Sequence, residues 1–277
     1  MKIIDAHQHY WHYNPSEYDW IDDSMKVLQQ DFLPSHYKEE MKGNNIHGSV
    51  VVQARQSDQE TKWLLDLADH NEHILGIVGW IDLKSKNLEH QLKEYKASTK
   101  LKGFRHVIHD ELDIDFMLDL QFINGLRLLN EYNYTYDLLI KSEHLENTIR
   151  LIEQLPKMKL VIDHIAKPNI KKKEWDTWAI HLKKIAKDYP HVYCKISGIV
   201  TEADWYNWNE EELIEYIKYV IDIFGPSRVM FGTDWPVCQV ASKINKIIEL
   251  CEKPIYKNNH NIQYKLFNEN ASLFYSL

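Results

Sequence analysis

Short apolar segments alternate with helix-like segments eight times along this chain of 277 residues. The apolar segments are rich in β-branched residues and show little alternation of apolar and polar side chains. This pattern is typical of parallel strands buried on both faces, whereas a strand with one exposed face would alternate. The predicted strands are Lys2–His9, Gly48–Arg55, Ile74–Leu83, Leu101–Ile108, Thr135–Ile140, Lys159–Ala166, Val192–Ser197 and Arg228–Asp234.

The segments between these strands place apolar residues at helical spacing. Ser142 is the expected N-cap of one helix, Ser142–Leu155, which Pro156 ends. The other predicted helices are Gln59–Asn71, one that begins near Ser85 or Asn87, Asp115–Tyr132, Glu174–Tyr189, Glu210–Phe224, Ser242–Cys251 and Asn261–Tyr275. Strands that alternate with helices predict a parallel sheet, and eight such units at this length favour a closed (β/α)8 TIM barrel over an open sheet.

No linker, charge block or low-complexity tract divides the chain, so residues 1–277 are predicted to form a single domain. The longest connection, Tyr10–Phe32, is rich in aromatic residues and aspartate. In a barrel we expect it to lie as a flap over the mouth formed by the carboxyl ends of the strands.

Composition excludes several classes of function. A formal net charge of −8 argues against general affinity for nucleic acid or anionic membranes. The sequence has no glycine-rich phosphate loop, which disfavours nucleotide binding. Cys194, Cys238 and Cys251 form no CxxC pair, so we expect reduced thiols. No signal peptide or membrane-length apolar run is evident. We therefore expect a cytoplasmic protein with a small-molecule substrate, either monomeric or a homo-oligomer.

Ionisable residues stand at the carboxyl ends of nearly all the predicted strands. Burying them without partners would cost several kcal/mol each, so we expect them to converge on one another, on a metal ion or on a polar substrate. Asp82, His109 and Asp137 are interpreted as ordinary loop or cap residues. The remaining polar and ionisable groups at these ends include His7, His9, Gln53, Arg105, His106, His164, Lys195 and Asp234.

His7 and His9 are separated by one residue on the first predicted strand. Their side chains should project from the same face, about 7 Å apart at Cα. Two imidazoles at that spacing can bind one metal ion. With 15 histidines in the chain, however, the pair alone is as consistent with chance as with a metal site.

Three motifs resemble those of the amidohydrolase superfamily. They are Asp5-Ala6-His7-Gln8-His9-Tyr10-Trp11, Asp163-His164-Ile165-Ala166-Lys167-Pro168 and Phe231-Gly232-Thr233-Asp234-Trp235-Pro236-Val237. The chain is most similar to the branch of TIM-barrel hydrolases that includes sugar-acid lactonases, and Asn270–Tyr275 is similar to the C-terminal helix of that branch. The resemblance covers essentially the whole chain.

The resemblance implies one divalent metal ion, with zinc as the expected metal, bound by His7, His9 and Asp234. It places the strand-six histidine of the family at His164. Two-metal relatives carry a bridging Lys or Glu on strand four and a His on strand five. This chain instead has Arg105 and His106 on strand four, and Tyr136 and Asp137 on strand five. A binuclear centre is therefore not expected, and a reaction without a metal stays open.

The predicted activity is hydrolysis of an aldonolactone, such as L-fuconolactone or L-rhamnonolactone, by attack of an activated water on the ring ester. Asp234 is the expected general base, His164 orients the carbonyl or binds the metal, and Arg105 stabilises the oxyanion. The expected substrate-binding residues are Gln53, Trp80, His106, Lys195 and Trp11. Arg105 and Lys195 could instead be structural ion-pair partners, and Trp235 could serve only packing.

Three other functions remain open. One is hydrolysis of a lactone that is not a sugar derivative. Another is metal-dependent decarboxylation of an aromatic or dienoic acid, which would favour an additional histidine ligand on strand five. The last is a silent binding barrel, although such a protein would have no need for four buried ionisable groups at one mouth.

Overall fold

A single eight-stranded parallel sheet forms the centre of the computed structural model, which describes residues 1–255 and 259–277. Each strand pairs with the next one along the chain. The strands are β1 Ile3–Gln8, β2 Ile46–Val52, β3 Ile74–Gly79, β4 Leu101–Val107, β5 Thr135–Leu139, β6 Leu160–Ile162, β7 Val192–Ile196 and β8 Val229–Phe231. The predicted (β/α)8 barrel is confirmed.

The barrel closes between the residues that follow β1 and β8. The backbone N–H of Asp234 donates to the carbonyl of His7 at 2.8 Å, and that of His9 donates to the carbonyl of Trp235 at 2.7 Å. All eight predicted strands extend past the observed carboxyl ends. After β6, for example, Asp163–Ala166 leaves the sheet as a 3-10 turn.

Helices follow the strands on the outside of the barrel. They are α1 Pro34–Asn44, α2 Asp58–His70, α3 Leu88–Tyr95, α4 Leu120–Glu131, α5 Leu145–Ile152, α6 Asp176–Asp188, α7 Glu210–Phe224 and α8 Ile244–Glu252. A 3-10 turn, Ser142–His144, precedes α5, so Ser142 is not the cap of that helix as predicted. Apolar spacing gives no sign of α1, because its buried side chains are only Pro34, Tyr37 and Met41.

The C-terminal segment covers the end of the barrel opposite the mouth. It comprises α9 His260–Tyr264, a π-helical turn Lys265–Glu269 and α10 Asn270–Tyr275. Phe274 and Tyr275 pack with interior residues of the barrel such as Val50 and Val161. The Tyr275 hydroxyl donates to a carboxylate oxygen of Asp137 at 2.8 Å, inside the barrel.

The flap Tyr10–Phe32 is closed at its base by two backbone hydrogen bonds between Trp11 and Phe32, each 2.9 Å long. Trp11 is buried against Tyr18, Trp20 and Phe32. The flap is thus a packed loop held by aromatic contacts. No helix in the described part of the chain is long and apolar enough to cross a membrane.

Two glycines in helices should respond to alanine in opposite ways. A Cβ at Gly125 in α4 would lie 2.3 Å from the carbonyl oxygen of Leu83, whereas one at Gly43 in α1 would meet nothing within 4 Å. Gly125→Ala should lower the free energy of unfolding by about 1–3 kcal/mol through overpacking. Gly43→Ala should raise it by about 0.4–1 kcal/mol. Urea unfolding of both variants tests this, and equal shifts would refute the packing.

Candidate active site

Four side chains at the carboxyl ends of three different strands meet at the barrel mouth. The Nε2 atoms of His7 and His9 lie 3.2 Å apart. Asp234 Oδ1 lies 3.3 Å from His9 Nε2 and 3.7 Å from His7 Nε2. The Nε2 atom of His164 lies 3.9 Å from the same carboxylate oxygen. The fold therefore joins residues from the start, middle and end of the chain around Asp234.

Asp5 fixes the relative position of β1 and the turn after β8. One oxygen of its buried carboxylate accepts the backbone N–H groups of His7 at 3.0 Å and Thr233 at 2.9 Å. The other accepts the hydroxyl groups of Thr233 and Tyr37, both at 2.5 Å. Because His7 and Thr233 flank the site directly, this carboxylate positions both His7 and Asp234.

A left-handed turn carries His164. Its residues His164, Ile165, Ala166 and Lys167 have φ angles of 51°, 51°, 63° and 43°. That conformation costs roughly 1–2 kcal/mol per residue for L-amino acids, and a β-branched residue such as Ile165 is rare there. The indole N–H of Trp178 on α6 donates to the carbonyl of Ile165 at 2.7 Å and holds the turn.

Gly198 makes room for the His164 ring. A Cβ at Gly198 would lie 2.5 Å from His164 Nδ1, and the φ angle of +60° is one that glycine adopts readily. The preceding residue, Ser197, places its hydroxyl 2.9 Å from the same ring nitrogen. The turn after β7 thereby fixes the orientation of the imidazole.

Asp163 joins the mouth to the interior of the barrel. Its carboxylate contacts Arg105 Nη1 at 3.1 Å, Lys195 Nζ at 3.1 Å and His7 Nδ1 at 3.4 Å. Lys195 also pairs with Asp137 at 2.6 Å. All of these side chains are buried, so two cations and two carboxylates balance one another away from water.

Burial and these neighbours set the charge of each group. Burial alone would raise the pKa of the Asp163 carboxyl, but Lys195, His7 and Arg105 hold it well below its ordinary value. Burial lowers the pKa of His7 and of His164 far enough that both imidazoles are neutral at pH 7. Burial would also raise the pKa of Asp234, but His164, His9 and Lys167 lower it, so this carboxyl is ionised.

The atoms around Asp234 form a set of acceptors suited to a cation. His9 Nδ1 lies 2.8 Å from the carbonyl of Val52, so it carries a proton and Nε2 is the ring nitrogen that can offer a lone pair. Arg105, which can only donate, lies 3.2 Å from His7 Nε2 and makes that nitrogen an acceptor too. With the Asp234 carboxylate, two ring lone pairs thus face one point.

These three atoms fit a zinc ion in donor type and spacing, because imidazole nitrogen and carboxylate oxygen are its usual ligands. The lone pair of His7 Nε2 can serve either Arg105 or a metal ion, so the guanidinium competes for one position of the site.

The mouth opens into a cavity of about 310 Å³. Its polar wall consists of His9, Arg105, His109, Asp110, His164, Lys167, Thr201, Glu202 and Asp234. Its apolar wall consists of Trp20, Met25, Ala54, Val107, Leu139, Trp205, Val237 and Val240. Trp20 and Met25 come from the flap, which therefore forms part of the wall.

Three of the residues expected to bind substrate are wholly buried instead. Trp11 packs inside the flap, and Lys195 forms ion pairs with Asp137 and Asp163. The Gln53 amide is buried and donates to the carbonyl of Arg105 at 3.3 Å. None of the three lines the cavity, and their role in binding a substrate stays a prediction.

Trp80 and His106 form a hydrogen bond with each other and do not line the cavity. The indole N–H of Trp80 donates to His106 Nδ1 at 3.2 Å. His106 also pairs with Glu111 at 2.6 Å and stacks on Phe116. Both are thus part of the packing beside β4, and their expected role in substrate binding is not supported.

Several residues of the cavity wall were not expected from the sequence. His109, interpreted as an ordinary loop residue, lines the cavity, whereas Asp82 is exposed as interpreted and Asp137 is buried in the barrel. Lys167 stands in the strand-six motif, three residues after His164, and that motif was the available signal. Glu202 follows β7 with no motif around it. Trp235 is buried against Tyr37 and Phe32 and serves packing.

Comparison with known proteins agrees with this geometry. The model of the amidohydrolase family matches residues 4–277. An L-fucono-1,5-lactonase of Burkholderia multivorans is 37% identical over 90% of this chain and 87% of its own length. A second L-fucono-1,5-lactonase, from Burkholderia ambifaria, is 30% identical over 86% of this chain and 81% of its own length. A crystal structure of a Burkholderia multivorans amidohydrolase with bound zinc superposes over 100% of both chains, with a TM-score of 0.96 and 34% identity.

Asp163→Asn should destabilise the protein strongly, because it leaves Arg105 and Lys195 beside a neutral amide. Removing one partner from a buried pair costs about 3–5 kcal/mol. Since the pKa of Asp163 is lowered by folding, its contribution is present above the unfolded pKa of about 4 and is lost as the pH falls further. The difference between wild type and variant should be constant from pH 7 to about 5 and shrink below about 4.

Urea unfolding across this pH range measures the effect. Asp188→Asn, which removes an exposed pair with Lys184, is the control and should leave the free energy of unfolding unchanged. If Asp163→Asn also left the free energy of unfolding unchanged, the buried network would not be what holds the mouth together.

Proposed function

The chain belongs to the amidohydrolase family, and on that premise we propose that it is a lactonase that hydrolyses the ring ester of a sugar-acid lactone. The two L-fucono-1,5-lactonases that resemble it support an aldonolactone of the L-fuconolactone type as substrate. The observation that carries the proposal is an ionised, buried Asp234 that faces His9, His164 and Arg105 across one cavity.

Asp234 is proposed to act as the general base. Its carboxylate accepts a proton from the attacking water, whose oxygen forms a bond to the lactone carbonyl carbon. The ring C–O bond then breaks, and the proton passes to the leaving alkoxide. Arg105, which lines the cavity, stabilises the negative charge that develops on the carbonyl oxygen. His164, neutral and fixed by Ser197, orients that carbonyl.

His7, His9 and Asp234 are proposed to hold one zinc ion, as the donor set and the zinc in the Burkholderia multivorans structure suggest. When bound, zinc supplies Lewis-acid chemistry: it polarises a carbonyl and lowers the pKa of water towards about 7. His9 is held for this role by its hydrogen bond to Val52, which leaves Nε2 free.

Decarboxylation is less well supported by the site. That chemistry would favour a histidine at the end of strand five, but β5 ends at Leu139, and Tyr136 and Asp137 lie earlier in the strand. Both side chains are wholly buried, and Asp137 is paired with Lys195. We further propose that the enzyme acts in carbohydrate catabolism in the cytoplasm, where its buried, unpaired cysteines Cys194, Cys238 and Cys251 would stay reduced.

Asp234→Asn should lower kcat/KM for L-fucono-1,5-lactone at least about 100-fold while the protein stays folded, because it removes the general base. His164→Asn should lower it by a similar factor. Asp82→Asn, which changes an exposed carboxylate after β3, is the control and should retain full activity. Acid release in a weak buffer with a pH indicator measures the rates. Near-normal activity of Asp234→Asn would refute the assigned base.

Zinc should bind with a stoichiometry of one ion per chain. His9→Gln should weaken binding at least about tenfold by removing one of three ligands. His12→Gln, which changes an exposed histidine of the flap, should leave it unaltered. Competition with a chromophoric chelator gives the affinities. Unchanged binding in His9→Gln would place the metal elsewhere.

A further inference from the structure

An ion pair between Lys167 and Glu202 stands in the cavity wall. The side chains are 18% and 17% exposed, so both are largely withdrawn from bulk solvent. On the other side of the pair lies a second, more open groove of about 720 Å³, which the same two residues also line. Thr201 and Trp205 are likewise shared by both spaces. The pair therefore lies between the cavity and the groove, where a ligand bound in the cavity can contact it.

The backbone holds Lys167 towards the cavity at a cost. Lys167 is the last residue of the left-handed turn that begins at His164, and its own φ angle is 43°. Its backbone N–H donates to the carbonyl of His164 at 2.8 Å, which ties the two residues to one another. A lysine that only served solubility would not need such a conformation, since strained backbone is retained where the side chain has a defined position to occupy.

Apolar side chains form much of the rest of the cavity wall. Val107, Leu139, Val237 and Val240 are apolar. His109 and Asp110 form another pair in the wall at 2.8 Å, but the Asp110 side chain is 59% exposed and so remains open to water. Arg105 is held by Asp163, His7 and the carbonyl of Gln53 beside the groups that act on the carbonyl, so its part is assigned to the reacting ester. Outside the groups assigned to the reaction, Lys167 and Glu202 thus form the pair that is largely withdrawn from water and offers a ring hydroxyl both a donor and an acceptor.

We propose that Lys167 and Glu202 bind the hydroxyl groups of the lactone ring and so select polyhydroxylated lactones over unsubstituted ones. This inference rests on the proposed lactonase function. The lysine ammonium donates to one hydroxyl oxygen, and the Glu202 carboxylate accepts a neighbouring O–H, a combination that matches two adjacent hydroxyl groups. A site with polar groups that need a hydroxyl partner rejects the analogue that lacks it.

The test compares two lactones of equal ring size. L-fucono-1,5-lactone carries ring hydroxyl groups and δ-valerolactone carries none. For Lys167→Met and for Glu202→Gln, kcat/KM for L-fucono-1,5-lactone should fall about 10- to 100-fold, mostly through KM. The value for δ-valerolactone should change less than about threefold. Lys84→Met, which removes a partly exposed ion pair with Asp119 outside the cavity, is the matched control and should change neither.

Equal losses with both lactones, or no loss with either, would overturn the proposal, because a merely structural pair cannot distinguish hydroxyl groups. Glu202→Gln keeps the shape of the wall and covers the case in which Lys167→Met fails to fold.

A binding measurement separates this inference from the proposed function. L-fucose has the hydroxylated ring but no ester, and its affinity can be followed by tryptophan fluorescence, since Trp20 and Trp205 line the cavity. Both variants should bind it at least about tenfold more weakly than wild type. If wild type hydrolysed neither lactone, but both variants bound L-fucose more weakly than wild type, the lactonase function would fail and the hydroxyl-binding role would stand. Unaltered L-fucose binding in both variants would refute the role itself.

Discussion

The buried carboxylate of Asp163 is the interaction on which the other charged groups of the mouth depend. It pairs with Arg105 and Lys195 and lies beside the Nδ1 atom of His7. A cation buried without a partner costs several kcal/mol, so Arg105 depends on this anion, and Lys195 depends on it together with Asp137. The same carboxylate favours the His7 tautomer that carries its proton on Nδ1. The other ring nitrogen, Nε2, is the one that faces His9 and Asp234. The inner network thus sets the orientation of groups that face the cavity.

Two further devices complete the site around this centre. The Asp5 carboxylate joins β1 to the turn after β8 and so brings His7 next to Asp234. The left-handed turn after β6 presents His164 and Lys167 to the same cavity, with Trp178 behind it. Both devices use buried hydrogen bonds to hold backbone in positions that strands alone would not give. They account for the early ends of β6 and β8, which the sequence predicts to be longer.

Much of this architecture could be predicted from the sequence. The alternation of apolar and helical segments was sufficient for the barrel, because each buried strand leaves its own local signal. His7, His9, His164 and Asp234 were selected because they stand in specific motifs at strand ends. Lys195 and Trp11 show the limit of prediction from sequence. A polar or aromatic residue near a strand end gives the same sequence pattern whether its side chain faces the cavity or the barrel interior. Only the packing around it decides, and that depends on distant residues such as Asp137, Asp163 and Phe32.

The most direct measurement of the central claim is acid release from L-fucono-1,5-lactone by the wild-type protein, followed with a pH indicator with and without a chelator. If an ionised Asp234 in this cavity activates water for attack on a ring ester, hydrolysis will far exceed the spontaneous rate, and the chelator arm will show how much of it depends on bound metal. A rate equal to the spontaneous one in both arms, from protein that is folded, would contradict the assignment.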